Sequence, residues 1–439
     1  MNDRVLRYVH GLPREDLPAY IYDVPALREH AARIRAALPE RVEMYYAAKA
    51  NPDPVLVAAL RDIVDGYEVS SGGEVAHLRS VVPDAPLAFG GPGKAPEEIA
   101  TALRLGVERW HIESEHELHR LAAAADGPVD VLLRVNLPVD DGALDSVALA
   151  MGGRPAPFGL DPARVPECLR LLGTPAFHRL RLRGIHVHLA SGLDAAEHLA
   201  IAERVVRWSV DLAERHGFPL EEVNIGGGMA VDYGDPAQRF DWPAYGEGLA
   251  RLLDRHPGLT LRIEPGRALT VYCGWYVSEV LDVKQSHGED FAVVRGGTHH
   301  LRTPATRGHS QPFVVCPMEN WSHPWPRPAA ASSRVTLSGQ LCTPKDVLAH
   351  SGPVDRLRAG DRVVFAMAGA YAWNISHHEF LMHPRPTFHH LDEEPPGTYG
   401  FLAMAPSTAS STGVPMSMLS GRHKGQDTSP GSTSSRPSK

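Results

Sequence analysis

The stretch VEMYYAAKANPDPVLVAALRDIVDGYEVSSGGEVAHLRSV, residues 42–81, sets the pattern for about half of the chain. Two β-rich runs, VEMYYAAK (42–49) and GYEVS (66–70), bracket PVLVAALRDI, whose apolar spacing suits an amphipathic helix; GEVAHLRSV then repeats the helical spacing. The alternation continues outward to residue 265. Further strands are expected in PLAFGG (86–91), RWHIES (109–114), VDVLLRVN (129–136), LRGIHVHL (182–189), EEVNIGGG (221–228) and LTLRIEPG (259–266). Helical patterns such as PEEIATALRLG, EHELHRLAAAA and WPAYGEGLARLLDRH lie between them. Strands alternating with helices pair in parallel through crossover connections. Eight of them favour a closed (β/α)8 barrel, with a doubly wound α/β sheet as the alternative.

Beyond residue 270 the texture changes. WYVSEVLDVKQ, DFAVVRGG, PFVVCP, SRVTLSGQLCT and DRVVFAMAGAY are β-rich and separated by turn residues, which predicts an all-β barrel or sandwich. The expected organisation is an opening segment, 1–30, that lends a strand to the β domain, then the barrel (31–266), the β domain (267–400) and a tail (401–439). The tail holds 10 Ser, 4 Thr, 4 Pro and 4 Gly, a composition that cannot bury enough apolar surface to offset ordering, so disorder is expected.

The chain has 439 residues and a formal net charge of −8, with no basic stripe, which argues against nucleic-acid binding. No run approaches the roughly 20 apolar residues that span a bilayer, and the opening residues are too polar for a secretory signal. Four scattered cysteines without a CxxC pair exclude a zinc ribbon and disfavour a disulfide framework. A cytoplasmic enzyme is the expectation.

Barrel chemistry sits where strands end. Lys49 closes the first expected strand and Glu68 the second; His188 and Ser191 follow the sixth. Gly226, Gly227 and Gly228 end the seventh, and Glu264, Gly266 and Arg267 the eighth. Lys49 reads either as a lysine snorkelling at a strand end or as a Schiff-base lysine whose amine desolvation makes nucleophilic. Three glycines form a tight turn or let backbone N–H groups approach a phosphate, and Arg267 adds a fixed positive charge or a salt bridge. Glu264 pairs with Arg267 or with a pyridinium nitrogen. His186 and His188 share a strand face, but the sequence offers no further ligands at a metal-site spacing, so no metal is expected. A lysine, an anion cradle, an arginine, a carboxylate and a flat ring jointly match the aldehyde, phosphate, ring nitrogen and ring face of pyridoxal 5′-phosphate.

The motifs YYAAKAN, YEVSSGGE, HVHLASG, NIGGG, EPGR, LC and GAY, in this order over about residues 20–385, resemble the fold-type III pyridoxal-phosphate-dependent decarboxylases. That family includes the diaminopimelate and the ornithine/arginine decarboxylases. The resemblance implies an alanine-racemase-type barrel with a C-terminal β domain. Lys49 would bind the cofactor covalently, His188 stack on its ring and Glu264 contact its nitrogen. Ser191, Gly226, Gly227, Gly228, Gly266, Arg267 and Tyr371 would surround the phosphate, and Glu68, with Glu74, would buttress the cofactor side. It also implies a head-to-tail homodimer in which Cys342 reaches the partner's active site, where either Cys342 or Lys49 returns the proton to Cα.

Thr343 stands where the basic amino-acid decarboxylases carry an acid for the substrate's distal amine, and HLAS replaces HxGS. His299, His300 and Arg302 in RGGTHHLRTP, with Arg154 in MGGRPAPFG, read as a solvated turn or as a pocket for carboxylates. GGPGKAPEEI, HIESEHEL, HHLR and CTPKDVL resemble the siderophore-biosynthesis branch, which decarboxylates an amino-acid unit attached to citrate, as in citryl-diaminopropionate. The expected function is therefore decarboxylation of such a carboxylate-rich substrate. The alternatives are decarboxylation of free diaminopimelate, ornithine, lysine or arginine, racemisation, and non-catalytic binding of pyridoxal phosphate.

Overall fold

In the computed structural model, residues 3–138, 149–150 and 152–392 are described; the expected disordered tail lies outside them. The strands Val42–Ala47, Gly66–Val69, Leu87–Phe89, Arg109–Ile112, Val129–Arg134, Leu180–His186, Glu222–Asn224 and Thr260–Ile263 close into a barrel of parallel neighbours. Helices follow the strands, and side-chain caps fix where several begin. Asp53 accepts from the N–H of Val55 at 3.0 Å at the head of Pro54–Leu60. Ser71 accepts from Glu74 at 3.1 Å at the head of Gly72–Val81. Asp194 and Glu197 form a reciprocal capping box at the start of Ala195–His216, and left-handed Gly217 ends that helix. A helix absent from the sequence expectation, Val24–Ala37, packs between Pro54–Leu60 and Trp242–Asp254 and completes the outer ring.

The barrel interior is unusually polar. Arg262 and Glu264 flank one inward step of the last strand and its end, as Arg109 and His111 do in the fourth. Low in the barrel, the Arg262 guanidinium lies 2.9 Å from a Glu222 oxygen and donates to Glu43 at 3.0 Å. Arg109 bridges Glu222 at 2.9 Å and Asp130 at 3.0 Å. Such buried charges persist only when fully paired.

The second half forms one eight-stranded, mostly antiparallel sheet built around the long strand Gly274–Ser286. Its hairpin to Glu289–Val294 turns through His287 and Gly288 at φ 50° and 85°, a primed turn matched to strand twist. Ala19–Asp23 inserts between Gly274–Ser286 and Thr387–Leu391, so residues from both ends of the described chain share this sheet. The helix Asp3–Gly11 buries Val5 and Val9 against its Trp275 face.

Sheet and barrel meet at the loop carrying Lys49. The Tyr371 N–H donates to the Ala50 carbonyl at 2.7 Å, Asn374 Nδ2 to the Lys49 carbonyl at 2.7 Å, and Asn51 Nδ2 to the Gly369 carbonyl at 3.0 Å. Among the described residues, no helix is long and apolar enough to cross a membrane.

Candidate active site

Lys49 leaves the first barrel strand in a single 3-10 turn, Ala48–Ala50, and points into a cavity of about 480 Å3 at the C-terminal mouth of the barrel. Its side chain is 40% exposed to that space. The Nζ forms a short ion pair with Glu68 Oε2, whose other oxygen accepts from Ser70 Oγ at 3.0 Å. Glu74 takes no part in the cavity wall; its carboxylate accepts from the Ser70 N–H at 2.6 Å and steadies the turn that carries Ser70. Desolvation does not lower the Lys49 pKa as expected. Burial pulls the ammonium down, but Glu68, Tyr371 and Glu264 outweigh it and raise its pKa. The amine is thus protonated in the free protein, and its reactivity depends on where that proton can go.

The opposite wall is built by backbone. Gly226 and Gly228 have φ of 70° and 104°, and a Cβ on Gly227 or Gly228 would run into the carbonyls of Glu264 and Ala190. The Gly227 N–H donates to His188 Nδ1 at 3.1 Å, which places the proton of the ring on Nε2. Burial, then Arg134 and Lys49, hold His188 well below the ordinary histidine range, so the ring is neutral. Ser191 and Gly192 close this wall, the latter donating to the Gly228 carbonyl at 2.7 Å. Gly266 and Arg267 border it, and the guanidinium lies 4.5 Å from the Tyr371 ring centre while donating to Tyr233 Oη at 2.7 Å. Tyr371 has φ of 48°, a left-handed conformation, and its carbonyl accepts from Thr303 Oγ1.

Deeper, Glu264 ends the last strand with Oε1 accepting from Asn224 Nδ2 at 2.7 Å. His186 Nε2 lies 3.5 Å from Oε2 and His111 Nε2 3.8 Å from Oε1. Burial alone would push the Glu264 carboxyl up; His186, His111 and Lys49 hold it well below the usual carboxylate range. Sequence spacing gave His186 no further ligands, yet the fold brings His111 and Glu264 to it, with ligand atoms within 4.8 Å of one another. Their chain separation conceals this grouping; only the barrel register, in which both strands contribute every second residue inward, reveals it.

The cavity accommodates a phosphorylated pyridine. A dense glycine cradle with a guanidinium and a hydroxyl suits a phosphate, an ionised carboxylate lies deeper at the barrel floor of the site, and a neutral imidazole flanks the space. Residues not singled out from sequence also line it, among them Arg134, Phe158 and Arg307, the last ending the short helix Thr303–Arg307. No ion pair is found for Arg307 among the described residues.

Other expected site residues are not gathered there. Cys342 is exposed and Thr343 half-buried, in a loop tied by Asp346 to Thr298 and by Gln340 to Gly296. That loop and RGGTHHLR therefore form one platform outside the cavity. Within the platform His299 and His300 are buried rather than presented to a ligand. The turn at Gly296–Gly297 curls them under the sheet, where His300 Nδ1 meets Tyr276 Oη at 3.0 Å and His299 packs against His383. Burial pushes them down to about 3 and about 4, so neither carries charge at neutral pH. Arg302 and Arg154 are exposed.

Residues 24–271 match the family described as pyridoxal-dependent decarboxylase, pyridoxal binding domain. The chain is 38% identical over 381 residues to 2-[(L-alanin-3-ylcarbamoyl)methyl]-2-hydroxybutanedioate decarboxylase of Staphylococcus aureus, covering 85% of this chain and 94% of the relative. It is 32% identical over 376 residues to diaminopimelate decarboxylase of Actinosynnema pretiosum, covering 82% of each. The crystal structure of diaminopimelate decarboxylase from Helicobacter pylori complexed with L-lysine superposes with a TM-score of 0.76 at 22% identity, over 90% of this chain and 95% of the other, a likeness of fold.

Proposed function

As the chain belongs to the pyridoxal-dependent decarboxylases, we propose that its substrate is an amino acid borne on a carboxylate-rich, citryl-type scaffold, and that it releases carbon dioxide and an amine. The name of the Staphylococcus aureus relative describes such a compound, a hydroxylated tricarboxylate skeleton amide-linked to an amino-acid unit. The observation that carries the substrate reading is Arg307, a cavity-lining cation with no carboxylate paired to it among the described residues. A site built for a free diamine would place an acid there; Arg favours a planar carboxylate, which it meets with two parallel hydrogen bonds.

Pyridoxal phosphate supplies an electron sink for the pair left behind when carbon dioxide departs. Lys49 is the residue that binds its aldehyde carbon once its ammonium, which Glu68 stabilises, has lost a proton. Gly226, Gly227, Gly228, Ser191, Gly266, Arg267 and Tyr371 hold the phosphate, and His188 covers the ring face. Glu264 keeps a proton on the ring nitrogen. A second copy of the chain completes the site: exposed Cys342 returns a proton to Cα of a substrate held by the partner, with Thr343 and Arg302 beside it.

Incubation of the loaded enzyme with the citrate amide of 2,3-diaminopropionate, and separately with diaminopimelate, ornithine, lysine and arginine, tests this. Mass spectrometry is expected to show loss of carbon dioxide from the citrate amide at a kcat/KM well above any free amino acid. The diaminopimelate decarboxylases among the relatives favour the second reading, which a preference for free diaminopimelate would establish instead.

A further inference from the structure

Buried imidazoles carry two polar atoms each, and a folded chain normally satisfies both. His111 and His186 break that rule within the barrel. Their side chains are 0% and 3% exposed, their ring centres lie 4.0 Å apart at 38°, and His111 Nδ1 and both nitrogens of His186 have no hydrogen-bond partner among the described residues. Apolar side chains would fill the same space without that penalty. The acid both rings approach is Glu264, at 3.8 and 3.5 Å.

We propose that His111 and His186 are positioning residues that act through Glu264: together they hold one proton, and with Asn224 they keep the carboxylate ionised and turned toward the ring nitrogen of the cofactor. This rests on the reading that Glu264 faces that nitrogen. Two charged rings in van der Waals contact, shielded from water, repel too strongly to coexist, so the pair holds at most one added proton. His186 is its seat. His111 faces Arg262 and Lys94 as well as His186, and the Lys94 ammonium donates to the His111 carbonyl at 2.8 Å, so charge on His111 is opposed from three sides. Asn224 Nδ2 lies 3.4 Å from His111 Nε2 while it donates to Glu264 Oε1, so the amide fixes that oxygen. Oε2 is left to His186. From the strand ends above, Lys49 and His188 also face Glu264, and Lys49 adds a second positive charge. The carboxylate is thereby held at Oε1 by the amide and faced at Oε2 by His186 before any ligand arrives.

The test uses holoenzyme loaded with pyridoxal phosphate labelled with 15N in its ring. In the natural protein the ring-nitrogen shift is expected at its protonated value and flat through the range in which histidine titrates. In His186→Leu it is expected to move toward the unprotonated value by at least half the displacement seen in Glu264→Gln. His186→Gln, which retains an N–H near Oε2, recovers part of the shift, and His111→Leu allows a second proton-bearing arrangement and alters the pH profile. If both leucine variants bind cofactor with an unmoved label, the proposal is overturned. If Glu264→Gln itself leaves the label unmoved, the reading of Glu264 fails, a separate result. A measurement free of substitutions uses holoenzyme with 15N-labelled histidine: one of the two rings protonated and the other neutral is expected. Two neutral rings, two charged rings, or a stoichiometric divalent metal bridging the three groups would each overturn the proposal.

Discussion

Removing an acid from the cavity should make the cofactor bind faster. Glu68→Gln keeps the shape of the side chain and the capacity to accept from Ser70 Oγ, but it deletes the charge paired with Lys49. Two unit charges about 4 Å apart interact by roughly 4 kcal/mol at an effective dielectric constant of about 20. The Lys49 side chain is 40% exposed, so solvent screens much of that, leaving about 1–2 kcal/mol. An energy of that size corresponds to a factor of about 5–30 in the free amine present at a given pH.

Glu68 raises the pKa of the ammonium, so its loss lowers it, although Glu264 still opposes full release. Only the unprotonated amine attacks an aldehyde. Mixing apoenzyme with pyridoxal phosphate in a stopped-flow spectrophotometer, and following the visible band over a series of pH values, reads the fraction of free amine directly. The expected outcome is association about tenfold faster near neutrality, with the pH profile displaced toward acid. A loading rate that is unchanged or slower, in a variant with normal final occupancy, would refute the electrostatic account of Lys49.

Arg307→Met is expected to raise KM for a citrate-bearing substrate about tenfold or more, with kcat and cofactor retention little changed, as initial-rate kinetics would show; a loss of cofactor instead would reassign Arg307 to the phosphate. Mixing inactive Lys49→Ala with inactive Cys342→Ala should restore about a quarter of normal activity, because half of the reassorted dimers carry one intact composite site. No recovery after reassortment, verified by native mass spectrometry, would confine each site to one chain. His198 donates from Nε2 to the Gly227 carbonyl at 3.0 Å and accepts from Tyr245 Oη at 2.9 Å, and burial pushes it down to about 4. The unfolded chain therefore takes up a proton there before the folded one does, and stability present above pH 6.5 is lost as pH falls toward 4, by up to about 3 kcal/mol. Calorimetric melting of His198→Leu against the natural protein should show a shallower decline across that window.

Much of the fold is legible because strand and helix periods alternate with little interruption from Val42 to Ile263, and the strand-end residues Lys49, Glu68, Gly226 and Glu264 mark the open end of the barrel. What escapes is whatever depends on closure. Val24–Ala37 lies before the first barrel strand, so nothing in the local pattern says that it fills the gap beside the last helix. His111 and His186 are 75 positions apart and become neighbours only when the fourth and sixth strands are in register on the barrel wall. The loop RGGTHHLR misleads in the opposite sense. Its composition signals a polar surface, but Gly296 and Gly297 adopt φ of 81° and 149°, and that turn carries His299 and His300 inward. The cation of this stretch that does line the cavity comes slightly later, at Arg307, in the short helix Thr303–Arg307.

The polar column in the barrel explains why a second, apolar-backed sheet is coupled to the loop of Lys49. Charges at Glu43, Arg109, Glu222 and Arg262 below, and at Glu264, Glu68 and Lys49 above, occupy volume that branched aliphatic side chains fill in most barrels of this kind. Paired ions in such a place contribute little net stability, and an interrupted pair leaves a costly buried charge. The apolar burial that offsets this lies outside the strands, where the helix ring meets them and where the core continues into the sheet through Tyr20, Tyr276 and Phe365. Three hydrogen bonds from Asn51, Tyr371 and Asn374 then transmit the rigidity of that sheet to the one turn whose position matters most. The reactive lysine is thus held in a geometry set by a domain that contributes little to the cavity wall beyond Tyr371 and Arg307, and the barrel interior is free to carry charge instead of core.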